Sequence, residues 1–464
     1  MHPYDLLVIG SGPAGQRGAI QAAKLGKRVA IVEQQSVVGG VSVHTGTIPS
    51  KTLREAVLYL TGWNQRSLYG RGYRLKQHIT MDDLLTRLNI TLQHEIEVIQ
   101  HQLVRNDVEV IEGTAAFIDP HTVRVVSPNG DAADYSADKI LIATGSRPVR
   151  TEGIPFDDET ILDSDAILQL KRTPRSLAVI GGGVIGVEYA SIFSTMDIKV
   201  TLIDGRPHML DFLDRELVDE LLHHMRDRGV VLRLGEKVAS VERMANGQVV
   251  THLESGKRLT TDTVLVAAGR MGSTYGLNLE NAGLSADKRR RLTVNEHFQT
   301  EAEHIYAAGD VIGFPSLAST SMEQGRRAAC HAFGLCDLTQ PTHFPFGVYS
   351  VPEMSMIGMT EEQLTEQCIP YESGVARLRE TARGQIMGLD TGILKLLVAL
   401  DDRRILGVHI LGEGATELIH IGQAVLVLGG TLDYFLETVF NYPTLAEAYK
   451  IAALDAWNRL GLVD

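Results

Sequence analysis

The stretch "DLLVIGSGPAGQRGAIQAAKLGKRVAIVEQ", Asp5 to Gln34, reads as an apolar strand, a glycine-rich turn, a helix and a second apolar strand ending in an acid. Its glycines, Gly10, Gly12 and Gly15, form the pattern G-x-G-x-x-G. In that order the first glycine permits a tight turn, the second lets the backbone approach a pyrophosphate, and the third brings helix close to strand. The ligand's negative charge then lies on the positive end of the helix, where free N–H groups point outward. The acid closing the second strand, Glu33, is placed to accept hydrogen bonds from a ribose hydroxyl. One such fingerprint is weak. This chain carries it twice.

The second copy is "SLAVIGGGVIGVEYASIFSTMDIKVTLIDG", Ser176 to Gly205. Gly181, Gly183 and Gly186 repeat the glycines, and the same displacement carries Glu33 to Asp204. Two copies in register predict two dinucleotide sites on an α/β chain with two Rossmann-like domains. "KILIATGSRP" closes the first unit with a strand and Gly145, and "TVLVAAGR" closes the second with a strand and Gly269. Further on, "HIYAAGDVIGFPSLASTSMEQGRRAA" reads as strand, glycine, acid and helix. Its Asp310, at a strand end beside Gly309, is placed to accept hydrogen bonds from a polyol. After about Gln340 the glycine fingerprints stop, and "GILKLLVAL", "RRILGVHIL", "ATELIHIGQAVLVLG" and "LAEAYKIAALDAWNRL" read as an α+β domain.

Composition fits this plan. A chain of 464 residues has room for about three domains. No apolar run reaches the roughly 18 residues of a membrane span, and "MHPYDLLVIG" lacks the basic start of a secretory signal, so the expected location is the cytoplasm. A net charge of −13 argues against a nucleic-acid partner. Cys330, Cys336 and Cys368 have neither zinc-knuckle nor thioredoxin spacing and read as ordinary thiols; no metal site is expected.

Taken together, "VIGSGPAG", "GTIPSK", "LIATGSRP", "VIGGGVIGVEYA", "YAAGD", "SVPEMSMIGMTE" and "FNYPTLAEAY" resemble the FAD-dependent class I pyridine nucleotide–disulfide oxidoreductases over essentially the whole chain. The resemblance implies an FAD domain (1–152 and 270–340), an inserted NAD(P) domain (153–269) and a C-terminal α+β dimerisation domain (341–464). It assigns the first repeat to FAD, with Gly10, Gly12, Gly15, Glu33, Gln34, Gly39, Gly40, Ser42, Thr47, Lys51, Ala115, Gly145, Asp310 and Ala318 as its contacts. The second repeat goes to NAD(H) or NADP(H), through Gly181, Gly183, Gly186, Glu188, Asp204, Arg206 and Gly269. Lys51 of "IPSK" matches the family lysine at the flavin N5 edge, and Glu188 of "GVEYA" matches its ion-pair partner. A homodimer, or a higher homo-oligomer, is implied as well.

Two departures narrow the chemistry. The family's disulfide reductases carry two cysteines beside the flavin; in "GGVSVHTGTIPSK" the matching residues are Ser42 and Thr47, which have no oxidised state comparable to a disulfide. The histidine that serves those thiols is replaced by Tyr442, before Pro443, although Glu447 is kept. A phenol is a poor base at neutral pH. "GTIPSK", "HIYAAGDVIGFPSLAS", "LGEGATELIHIGQA" and "FNYPTLAEAY" look closest to the soluble, Si-specific transhydrogenase branch, which moves hydride between NADPH and NAD⁺ through FAD. Asp204-Gly205-Arg206 offers an acid for a ribose hydroxyl and an arginine for a phosphate. Electron delivery to a quinone or dye fits the lost thiols equally well. A flavin-holding redox sensor without turnover would be expected to have a damaged nicotinamide fingerprint, and here it is intact. Glu413 and His420 read as structural or as lying near the dimer interface, and His223–His224 as a solvated helix face.

Overall fold

The computed structural model describes residues 2–70, 72–335 and 341–461. The expected change of character near Gln340, and Cys336, lie outside them. The strand His2–Ile9 pairs in parallel with Val29–Glu33 on one side and Ala132–Ile142 on the other. Glu109–Glu112 extends the sheet beyond Val29–Glu33, and Ile305–Ala307, from far along the chain, pairs in parallel with Ala132–Ile142. All five residues of Val29–Glu33 are buried, as befits a continuous apolar run covered on both faces. The antiparallel strands Thr114–Asp119 and Thr122–Val126 join the first half of Ala132–Ile142.

The second repeat builds the same parallel order. Val231–Leu234, Lys199–Asp204, Ser176–Ile180, Thr263–Val266 and Ile161–Asp163 lie side by side. Here too an antiparallel meander follows, of Val238–Arg243, Val249–Leu253 and Arg258–Thr261. The remaining chain forms an antiparallel sheet of five strands, Phe346–Val348, Met354–Gly358, Ile405–Leu411, Ile393–Ala399 and Tyr371–Arg377. Helices Ala415–Val427 and Glu447–Leu460 pack on it, where the four apolar segments of the sequence place strands and helices.

Close approaches fasten these units. Helix Ala318–Ala332 crosses Pro13–Lys24 so tightly that a Cβ on Gly325 would lie 2.0 Å from the Ala14 carbonyl oxygen. Between the second sheet and the C-terminal sheet, Lys395 is buried among Asp214, Glu216 and Glu361, at 3.1, 2.9 and 2.8 Å. Burial works against the Lys395 charge, but the three carboxylates outweigh it and raise its pKa. Arg54, on helix Thr47–Thr61, donates to the Ser350 carbonyl oxygen (2.9 Å) and lies 3.6 Å from Glu353.

One surface expectation is corrected. His223 is exposed, but His224 turns inward, with 13% of its side chain exposed against 65%. Burial pushes the His224 imidazole below its ordinary pKa.

Candidate functional site

A cleft of about 780 Å³ opens at the carboxyl ends of the first sheet's parallel strands, where open α/β sheets bind ligands. Gly10, Gly12, Glu33, Gln34, Gly40, Ser42, Thr47, Ala115, Gly145, Asp310 and Ala318 all line it, although they span most of the first 318 positions. Of the other residues assigned to this site, Gly15, Gly39 and Lys51 are not among those that line it. A Cβ on Gly15 would sit 1.9 Å from the Gly10 carbonyl oxygen, so this glycine serves packing. Gly39 donates its N–H to Ser11 Oγ (2.9 Å). Gly12, by contrast, faces open space: nothing lies within 4 Å of where its Cβ would be. It also starts the helix Pro13–Lys24 with no side-chain cap, leaving the first N–H groups free for an anion. These features fit a dinucleotide pyrophosphate.

The second repeat reproduces the cradle. Gly183 has nothing within 4 Å and Gly186 would clash at 1.9 Å with the Gly181 carbonyl oxygen. Helix Val184–Thr195 likewise begins without a side-chain cap. Gly145 and Gly269 occupy matching positions after their strands, at φ +70° and +107°, where a side chain would be strained.

The two acids are also arranged alike. Glu33 is buried and accepts from Ser11 N–H (3.0 Å) and Gln35 N–H (2.9 Å). Asp204 accepts from Gly182 N–H (2.6 Å) and Arg206 N–H (2.7 Å). The difference is Arg206, whose guanidinium folds back on Asp204 at 2.9 and 3.1 Å, where the first site has Gln35. Burial raises the Asp204 carboxyl, but these hydrogen bonds prevail and hold it below the usual carboxylate range.

Lys51 and Glu188 meet between the repeats. Lys51 Nζ lies 2.7 Å from Glu188 Oε2 and 3.0 Å from Oε1, with 25% and 4% of the two side chains exposed. A third element, unseen in the sequence, completes the group. The Tyr349 main-chain N–H donates to Glu188 Oε1 (2.8 Å), and the Tyr349 ring lies under Lys51 Nζ, 4.8 Å from its centre. Asp310 is likewise held by an unanticipated neighbour, accepting from Ser146 Oγ (2.7 Å), which itself accepts from Arg270 Nε (2.9 Å). Arg147 and Tyr275 also line the cleft, with the guanidinium 5.2 Å from the ring centre.

The alcohols stand where the sequence puts them. Ser42 lies on the short helix Gly40–His44, Thr47 begins Thr47–Thr61, and both border the cleft. Cys330 and Cys368 are free thiols. Tyr442 is 73% exposed, and Glu447 Oε2 is buried with no hydrogen-bond partner among the described residues. Glu413, expected to be structural, is partly buried, and Asn64 Nδ2 donates to it at 3.5 Å. His420 is exposed and pairs with Gln423. Among the described residues, no helix is long and apolar enough to cross a membrane.

A family model described as pyridine nucleotide-disulphide oxidoreductase matches residues 4–325, and its dimerisation-domain counterpart matches 344–453. The chain belongs to this family. Within the pyridine nucleotide–disulphide oxidoreductases it is similar to a protein of Mycobacterium tuberculosis named soluble pyridine nucleotide transhydrogenase, at 54% identity over 99% of this chain and 98% of that one. A Colwellia psychrerythraea protein of the same name is 46% identical, with 98% of each chain covered. Among solved structures, LpdA from M. tuberculosis superposes with a TM-score of 0.90 at 26% identity, covering 98% of this chain and 99% of that one. The HOCl-induced flavoprotein disulfide reductase RclA from Escherichia coli gives 0.87 at 30%, with 97% and 99% covered.

Proposed function

We infer that this chain is a soluble pyridine nucleotide transhydrogenase, moving hydride between NADPH and NAD⁺ with FAD as its resident cofactor. The observation that carries this reading is an intact Lys51–Glu188 pair in a chain whose neighbouring redox positions are the alcohols Ser42 and Thr47. The relatives that bear this name at 46–54% identity support it. FAD held there would supply a two-electron relay between one nicotinamide and the next.

The residues of the chain have separate tasks in this scheme. Gly12 and the open start of Pro13–Lys24 take the FAD pyrophosphate, Glu33 its ribose and Asp310 its polyol. Lys51 presents a positive charge at the flavin edge. Glu188 fixes the lysine, and the Tyr349 N–H fixes Glu188. Gly183 receives the nicotinamide dinucleotide, Asp204 accepts from the ribose hydroxyl of NAD(H), and Arg206 meets the phosphate of NADP(H). We assign FAD to 1–152 and 270–340, the nucleotide substrate to 153–269 and dimerisation to 341–464, with hydride passing in the Si-specific sense. A cytoplasmic homodimer is part of the same proposal. The exposed Leu428, Val439 and Tyr442 of the C-terminal region supply apolar surface for it.

The test mixes FAD-loaded protein with NADPH and a spectrally distinct NAD⁺ analogue, without quinone. Catalytic formation of the reduced analogue is expected. Bleaching of the flavin by NADPH with no transfer to the analogue would refute the reading.

A further inference from the structure

We propose that Lys237 forms, together with Arg206, the subsite for the 2′-phosphate of NADP(H), and that this second cation lets one pocket accept both nucleotides. The inference rests on the dual-nucleotide reading above and adds a residue that no sequence motif marks.

Arg206 alone is poorly placed to serve a phosphate. Two of its nitrogens are engaged by Asp204, and Nη1 lies 3.6 Å from Asp211. Asp204 is held below the usual carboxylate range and so remains charged at neutral pH. An incoming phosphate of charge near −2 therefore meets a pair whose charges largely cancel. Accepting NADP(H) without losing the acid that suits NAD(H) calls for a further positive charge on the same rim.

The backbone supplies a place for it. Gly235 N–H donates to the Arg206 carbonyl oxygen (2.9 Å) and Glu236 N–H to the Asp204 carbonyl oxygen (3.1 Å). Residues 235–237 are thereby fastened beside 204–206. Lys237 then runs its stem across Gly205, where a Cβ would lie 3.1 Å from Lys237 Cγ and 3.9 Å from Cε. Gly205 does not adopt left-handed backbone, so what it provides is space for the lysine rather than a turn. Lys237 is exposed and makes no ion pair among the described residues, while the adjacent Glu236 is neutralised by Lys257. A lysine ammonium on a flexible stem can swing onto a phosphate when one arrives and point to water when it does not. That property suits a site that must also take the unphosphorylated nucleotide.

The experiment compares adenosine 2′,5′-bisphosphate with adenosine 5′-monophosphate, which differ only in the 2′-phosphate, by calorimetric titration of the FAD-loaded protein. Lys237→Met keeps the stem and removes the charge. It is expected to weaken the bisphosphate roughly ten- to hundredfold, the worth of a charged hydrogen bond, and to leave the monophosphate's affinity at the wild-type value. Lys237→Arg is expected to restore most of the bisphosphate affinity. Wild-type preference for the bisphosphate with the same preference in Lys237→Met would overturn the role of Lys237 while leaving dual recognition standing. A wild-type protein that binds the monophosphate but not the bisphosphate would remove the dual reading itself, and this proposal with it.

Discussion

Replacing Lys395 by methionine tests whether the nucleotide-binding repeat is bolted to the C-terminal sheet by charge. Lys395 and Asp214 each expose 1% of their side chains, and three carboxylates lie within 3.1 Å of the ammonium. Methionine preserves most of the stem, so little of the effect comes from a cavity. What remains is a buried Asp214 facing Glu361 without its cation, a change worth about 3–5 kcal/mol. At 2–4 °C per kcal/mol this is a melting shift of roughly 6–20 °C for the affected region. Because the lysine pKa is raised, its contribution is complete below the unfolded value near 10.4 and fades only as pH rises through the folded value, so the loss should be constant between pH 6 and 8. Adding Asp214→Asn, which can still accept the Glu216 N–H that Asp214 accepts at 3.2 Å, is expected to return much of the stability. Urea unfolding of the FAD-loaded protein by circular dichroism compares the wild type with both variants. A Lys395→Met loss below about 1 kcal/mol, or no recovery in the double variant, would refute the argument.

Lys51→Ala is expected to retain FAD but to slow bleaching of the flavin by NADPH about a hundredfold in rapid mixing; unchanged rates would remove Lys51 from the chemistry. Gly186→Ala forces a Cβ to within 1.9 Å of the Gly181 carbonyl oxygen, so nicotinamide nucleotide binding should collapse while the flavin absorbance persists. Normal NADPH affinity in that variant would contradict the packing role of this glycine. Burial raises the Glu413 carboxyl above its ordinary pKa against the pull of Arg54, so its charge weakens the fold at high pH and protonation relieves this as pH falls toward 4.3. Glu413→Gln should therefore raise the urea midpoint at pH 8, with the gain shrinking toward pH 5; a gain that grows with acid would reverse the sign.

The glycine repeat made both parallel units legible, because strand, turn and helix follow one another locally and the acid that closes each unit is near at hand. Contacts made across the chain were not. Tyr349 reaches Glu188 over 161 positions, and nothing in "FGVYSVPEM" advertises a ring beneath a lysine. Ser146 and Arg270, which brace Asp310, belong to two short strands, distant in the chain, that pair with each other in a two-stranded sheet. The His223–His224 dipeptide departs from the expected solvated face for a simpler reason. Neighbouring residues on a helix point about 100° apart, so an adjacent pair straddles the boundary between water and core. Ser42 and Thr47 were legible only against a family pattern, since two alcohols in isolation carry no signal.

The nucleotide-binding repeat is anchored at two separate spots, Glu188 to Lys51 and Tyr349, and Asp214 with Glu216 to Lys395. A body tethered twice resists swivelling as a lid. In the scheme proposed above, one coenzyme would then replace the other without a hinged opening of this repeat.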